Sequence, residues 1–158
     1  MTIKEASLFC RDGDWIESKD QSSSGIRLIQ TGNIGVGVYL DKFSRAKYIS
    51  EETFNKLECT EVFSGDIIVS RLPAPVGRAC IVPDGLGRTI TTVDCTILRI
   101  DEKKILKEYV LLYTETRQYK FQIEKFLAGS TRVRISRKNL ESISIPQKNL
   151  ETQKKLYQ

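Results

Sequence analysis

The residues best equipped for chemistry lie together in Gly129-Ser130-Thr131-Arg132-Val133-Arg134-Ile135-Ser136-Arg137-Lys138, with four cations, three hydroxyls, one glycine and no acid. Such a segment suits phosphates: lysine and arginine neutralise backbone charge and release counterions, while hydroxyls and backbone N–H groups fix register on a nucleic acid. Read alone, it is equally a solvated strand end with a charged outer face.

Most catalytic chemistries fail on inventory. The chain has no histidine, so it holds no Ser-His or Cys-His nucleophile and lacks the usual general base. No phosphate-cradling glycine loop ends in Lys-Ser or Lys-Thr. Cys10, Cys59, Cys80 and Cys95 form no Cys-x-x-Cys pair, which argues against a zinc site. Cys80 and Cys95 fall in apolar, β-like runs and read as core. Pro83-Asp84 followed by Glu102-Lys103-Lys104 fits the loose Pro-Asp, Glu-x-Lys pattern of metal nucleases. That site needs two carboxylates converging on one divalent ion, whereas these sit in separate turns.

Nucleic-acid readout has better candidates. Arg71, Arg78, Arg132, Arg134 and Arg137 carry planar forks suited to guanine edges or phosphates, and Gln30 and Asn33 are the amide types that pair with adenine. A hydrogen bond within a turn is the alternative for both amides.

The elements that must position these groups are legible in outline. Asp12-Gly13-Asp14-Trp15-Ile16 predicts a turn delivering the only tryptophan, and Lys19 to Gly25 an exposed serine-rich loop. Ile26 to Gln30 predicts a strand and Thr31 to Gly37 a glycine-punctuated turn. Ser50 is placed to cap a short helix through Leu57. Strands are expected from Ile67 to Ser70 and Ala79 to Val82, joined by a stiff protruding loop with Arg71 and Arg78 at its feet. Further strands cover Thr89 to Thr92 and Val93 to Ile100. Ile105 to Leu127 is the main helical region, with Tyr119, Ile123, Phe126 and Leu127 on one core-facing stripe and a left-handed Gly129 stopping it. Asn149 is placed to cap a last helix.

Composition bounds the rest. With 158 residues, 40% hydrophobic and 28% charged, one folded domain is expected, neither disordered nor membrane-embedded. The N-terminus lacks the apolar stretch of a signal peptide, and the expected location is cytoplasmic. The net charge of +5 is polarised: Met1 to Ser70 holds 8 lysines and arginines against 11 acids, or −3, and Arg71 to Gln158 holds 17 against 9, or +8. An anionic partner meeting the second half is implied. A basic protein-interaction module without a DNA role is the alternative reading of the same charge.

Seven segments, in order, resemble the target recognition domain of the specificity subunit of type I restriction-modification systems. They are Gly13 to Asp20, Leu28 to Ile34, Lys47 to Ser50, Gly65 to Arg71, Gly77-Arg78, Gly129-Ser130-Thr131 and Ile143-Ser144-Ile145-Pro146. The resemblance covers nearly the whole chain. It implies an α+β fold with a strongly curved mixed or antiparallel sheet, partly barrel-like and flanked by helices, over residues 1–147. Residues 148–158 would then begin a spacer helix. It implies a non-catalytic reader of one half of a two-part duplex DNA target. The adenine methyltransferase (modification) subunits, and indirectly a restriction subunit, would carry the S-adenosylmethionine, ATP and Mg; this chain would carry no cofactor. On this reading Lys19, Arg132, Arg134, Arg137 and Lys138 hold phosphates, Arg71, Arg78, Gln30, Asn33 and Thr131 approach the bases, and Ser130 is among the DNA-binding residues. Family members usually hold two such domains and two spacer helices, so one domain with two turns of spacer suggests an excised domain or a half-subunit.

Overall fold

In a computed structural model, which describes residues 1–129, 131 and 133–157, the chain runs α1 (Ile3–Ala6), β1 (Ser7–Asp12), β2 (Gln21–Ser22), β3 (Ile26–Ile29), β4 (Lys47–Ile49), α2 (Glu51–Lys56), β5 (Ile67–Ser70), β6 (Ala79–Ile81), β7 (Thr89–Thr91), β8 (Cys95–Ile100), α3 (Lys107–Tyr113), α4 (Arg117–Ala128), α5 (Arg137–Glu141) and α6 (Leu150–Tyr157). The α+β class is borne out. The single curved sheet is instead two four-stranded sheets, ordered β1-β8-β5-β6 and β2-β4-β3-β7, with no closed barrel among the described residues. The division falls where the chain leaves β1. There the Gly13 N–H still bonds to Cys95 O (2.9 Å), but the Asp14 N–H crosses to Thr91 O of the second sheet (2.9 Å). Only glycine fits at the crossing: a Cβ on Gly13 would stand 2.2 Å from Thr92 O.

Alternation along the strands makes the layers. In the first sheet Ile67, Val69, Leu98 and Ile100 face the helices and pack with Tyr109, Val110, Tyr119, Ile123 and Leu140. Ile68, Cys80, Cys95 and Ile97 face the other way, against Ile29, Ile34 and Val62. Both cysteines expected in the core are there, fully buried. Ile26, Leu28, Ile49 and Ile90 form a third cluster under Ile16 and Phe54.

Local signals for the helices hold with two exceptions. Ser50 Oγ accepts from the Thr53 N–H (3.0 Å), capping α2, and Asn149 Oδ1 accepts from the Thr152 N–H (2.8 Å) at the start of α6. The expected long helix divides instead into α3 and α4, because Thr116 Oγ1 caps a new start by accepting from the Tyr119 N–H (3.3 Å). Gly129 ends α4 at φ −95°, not in the left-handed region.

Pairing directions give the fold two distinct ends. β1 and β5 finish where their antiparallel neighbours β8 and β6 begin, as the pairs Asp12 with Thr96, Ser70 with Cys95 and Val69 with Ala79 record. The parallel pair β3 and β7 finishes beside them, tied in by the Asp14 bond. At the other end Ser7 pairs with Ile100, Lys104 Nζ donates to Glu5 O (3.2 Å), and α6 docks on α3 through the buried Gln153, whose Oε1 accepts from the Leu106 N–H (2.8 Å). No helix among the described residues is long and apolar enough to cross a membrane.

Candidate nucleic-acid interface

Five connections leave the first of these ends: residues 13–20, 30–46, 71–78, 92–94 and the segment around 131–137. The loop 71–78 and the later segment touch directly, since the Ile135 N–H donates to Arg71 O and Arg71 Nη1 donates to Ile135 O, each at 3.2 Å. Asp12, Arg71, Val93, Phe126, Arg134, Ser136, Arg137 and Asn139 line an open cleft of about 470 Å³. Val93 also walls a smaller hollow with Trp15, Gln30, Thr31 and Asp94. The two basic stretches singled out in the sequence therefore share one end of the molecule.

Their arginines are not free, however. Arg71, expected at an exposed loop foot, is 4% exposed. Its Nη1 holds Ile135 O, its Nη2 holds Val93 O, and its Nε faces Asp12 Oδ1 at 3.3 Å in an ion pair without hydrogen-bond alignment. Burial pushes the guanidinium's pKa below its ordinary value, opposed by Asp12, and the group stays charged. Arg78 is spent similarly: Nε donates to Ile34 O (2.6 Å), Nη1 to Leu72 O (2.9 Å) and Nη2 to Thr31 O (3.0 Å). Both arginines are struts, and Arg78 fastens the 71–78 loop to the turn after β3.

Asn33 corrects in the same direction. It is 6% exposed; Oδ1 accepts from the Gln30 N–H (2.9 Å), and Nδ2 donates to Leu40 O (2.8 Å) and Asp41 O (3.1 Å). The turn hydrogen bond has won over a free amide. Gln30 stays half-buried on the wall of the hollow beside Trp15.

The remaining cations are accessible. Arg134 lies 3.6 Å from Asp94, and Arg137 lies 3.9 Å from Asp12 and 3.1 Å from Glu141. These half-exposed pairs are weak and open to exchange with phosphate. Lys19 pairs only loosely with Glu17 (3.4 Å) and is largely exposed, as are Lys138 and Thr131. Ser130 and Arg132 lie outside the described residues.

Sequence reading missed two groups here. Trp15 is 71% exposed, its Nε1–H donating to Glu17 Oε1 (3.3 Å). The stretch Lys42, Phe43, Arg45 and Lys47 is exposed throughout. Its local run of cations was the available signal, hidden by the acids elsewhere in the first half.

The carboxylates of the nuclease pattern are engaged apart. Asp84 accepts from Ser64 Oγ, and Glu102 pairs with Lys107 (2.9 Å). Among the described residues no group of three or more histidines, cysteines or acids could hold a metal ion.

The fold is thus two sheets whose loops gather at one polar end. The family model for the type I restriction modification DNA specificity domain matches residues 4–158, and the chain belongs to that family, a non-catalytic recognition component. Two solved chains share the fold at a TM-score of 0.68. One comes from work on complex assembly and conformational transition of the type I R-M system (18% identity, covering 99% of this chain and 35% of that one). The other is the HsdS subunit from Thermoanaerobacter tengcongensis (17% identity, covering 99% and 34%). This chain thus spans about a third of the length of each. No curated protein is matched.

Proposed function

We propose that residues 1–147 read one half of a bipartite duplex DNA target, and that residues 148–158 begin the spacer helix along which adenine methyltransferase subunits, and through them a restriction subunit, are positioned. The observation carrying this reading is the gathering of the five connections at one end of both sheets, in a chain of the DNA specificity family. The opposite placement of α6 on α3 suits it, since a spacer at the far end leaves the loops clear for a duplex. Lys19, Thr131, Arg134, Arg137 and Lys138 would meet the backbone, as would Ser130 and Arg132 of the same stretch of sequence, and Gln30 and Trp15 would face the groove. Arg71, Arg78 and Asn33 would act by holding the loops. S-adenosylmethionine, ATP and Mg would belong to the partner subunits.

Selection of bound duplexes from a random library, by the chain joined to its modification partner, tests the reading. Enrichment of one short motif is expected. Recovery of random sequence, or failure of short duplexes to compete for the chain, would favour a protein-docking module instead.

A further inference from the structure

Among the described residues, the arginines lining the cleft beside Arg71 are matched by acids. Arg71, Arg134 and Arg137 face Asp12, Asp94 and Glu141, so before any exchange these three offer a phosphate little net attraction. Besides the exposed Lys138, further unmatched positive charge at this end lies outside that cleft. Between Leu40 and Lys47 the chain makes a single 3-10 turn, Phe43–Arg45, presenting Lys42, Arg45 and Lys47 to solvent with Phe43 among them, 72% exposed. Among the described residues none of these three cations pairs with an acid. The adjacent carboxylate of Asp41 is already committed to the buried Arg27 (2.9 Å).

The turn is exposed without being loosely anchored. Arg27, 4% exposed, also donates to Asp41 O, and Asn33 Nδ2 binds the carbonyls of Leu40 and Asp41. The Leu40 N–H returns a bond to Asn33 O (2.8 Å). So fixed, the base holds Lys42 at φ 47°, ψ 45°, a left-handed conformation that costs a side-chain-bearing residue about 1 kcal/mol and persists only where its surroundings impose it. Lys42 Nζ lies against Gly32, 3.5 Å from where a Cβ would stand. The turn is therefore continuous with the Gln30–Asn33 turn, and through Arg78 and Thr31 with the 71–78 loop.

From this arrangement we infer that the Lys42–Lys47 turn is a second DNA-contacting element. Lys42, Arg45 and Lys47 take backbone phosphates, and Phe43 sets its ring against bases or sugars in the groove between them. An aromatic ring left bare costs hydration, and one ringed by unmatched cations fits a surface with apolar faces inside an anionic frame, which is what duplex DNA presents. The inference rests on the DNA reading above and assigns that reading a further electrostatic contact.

The test is fluorescence anisotropy of the 158-residue chain with a short random-sequence duplex, between about 50 and about 200 mM salt. The double variant Arg45→Gln/Lys47→Gln is expected to flatten the slope of log K against log salt by about 0.9 per lost contact. Phe43→Ala is expected to weaken binding about tenfold with the slope unchanged. All three positions are exposed, so thermal melting should match the parent chain. A parental slope in the double variant, together with a flattened one in Lys19→Gln/Lys138→Gln, overturns this inference and leaves the DNA reading standing. Parental affinity in Phe43→Ala overturns the role of the ring. A parent chain showing no salt-dependent binding overturns both.

Discussion

Replacing Arg71 by methionine separates a strut from a DNA contact. Methionine keeps most of the stem but removes the guanidinium that donates to Ile135 O and Val93 O and pairs with Asp12. Two carbonyls at the junction of three loops lose a donor, about 1 kcal/mol each. Asp12 loses its closest cation and keeps only the Thr96 hydroxyl (2.8 Å) and the distant Arg137, roughly another 1–2 kcal/mol in a partly buried site. A loss of about 3–4 kcal/mol lowers the melting temperature of a chain this size by about 6–16 °C. Urea unfolding measures the first quantity and a thermal scan the second. Anisotropy below the transition should show a salt slope equal to the parent's. The reasoning is refuted if stability is unchanged while the slope flattens by about 0.9, because Arg71 would then be holding a phosphate.

Asp94→Asn should release Arg134 at little cost in stability, since the pair is half exposed, and should steepen the salt slope by up to about 0.9 in the same titration. Tyr119→Phe removes the hydroxyl that donates to Gly77 O (2.7 Å) from a fully enclosed site; urea unfolding should register about 1 kcal/mol, with DNA binding unaffected. Gly13→Ala must push apart the backbone at Thr91 and Thr92, and about 1–3 kcal/mol of destabilisation is expected by the same measurement. Burial pushes the Cys80 thiol up from 9.0 to about 12, so the fold keeps a proton that the unfolded chain releases. Its contribution is intact below about pH 9 and falls as pH rises towards 12. Between pH 8 and pH 10 the parent should lose on the order of 1 kcal/mol more in urea unfolding than Cys80→Ala, whose remaining pH dependence comes from other raised thiols, Cys10 and Cys59 among them.

What the sequence disclosed was whatever depends on neighbours along the chain. Ser50 and Asn149 cap helices through residues three positions on, and Tyr119 and Ile123 share a helical face, so spacing alone located them. What it concealed depends on residues brought together from afar. Nothing near Arg71 signals that its acid is Asp12 and its acceptors are Val93 and Ile135, so a buried strut looked like a free fork. The parallel pairing of β3 with β7 likewise spans most of the first two-thirds of the chain, and with the Gly13 crossing it turns one expected sheet into two. The Lys42–Lys47 turn was masked by summation: Glu51 and Glu61, which weigh against it in any half-chain count, are paired with Arg88 instead.

The central claim is that DNA meets the end of the sheets where β1, β3, β5 and β7 finish. Mass-spectrometric footprinting of lysine acetylation, with and without a random duplex, addresses it directly. Lys19, Lys42, Lys47 and Lys138 should be protected, while Lys103, Lys104, Lys154 and Lys155 at the α6 end react as before. Protection of the second set with the first still reactive would contradict the account.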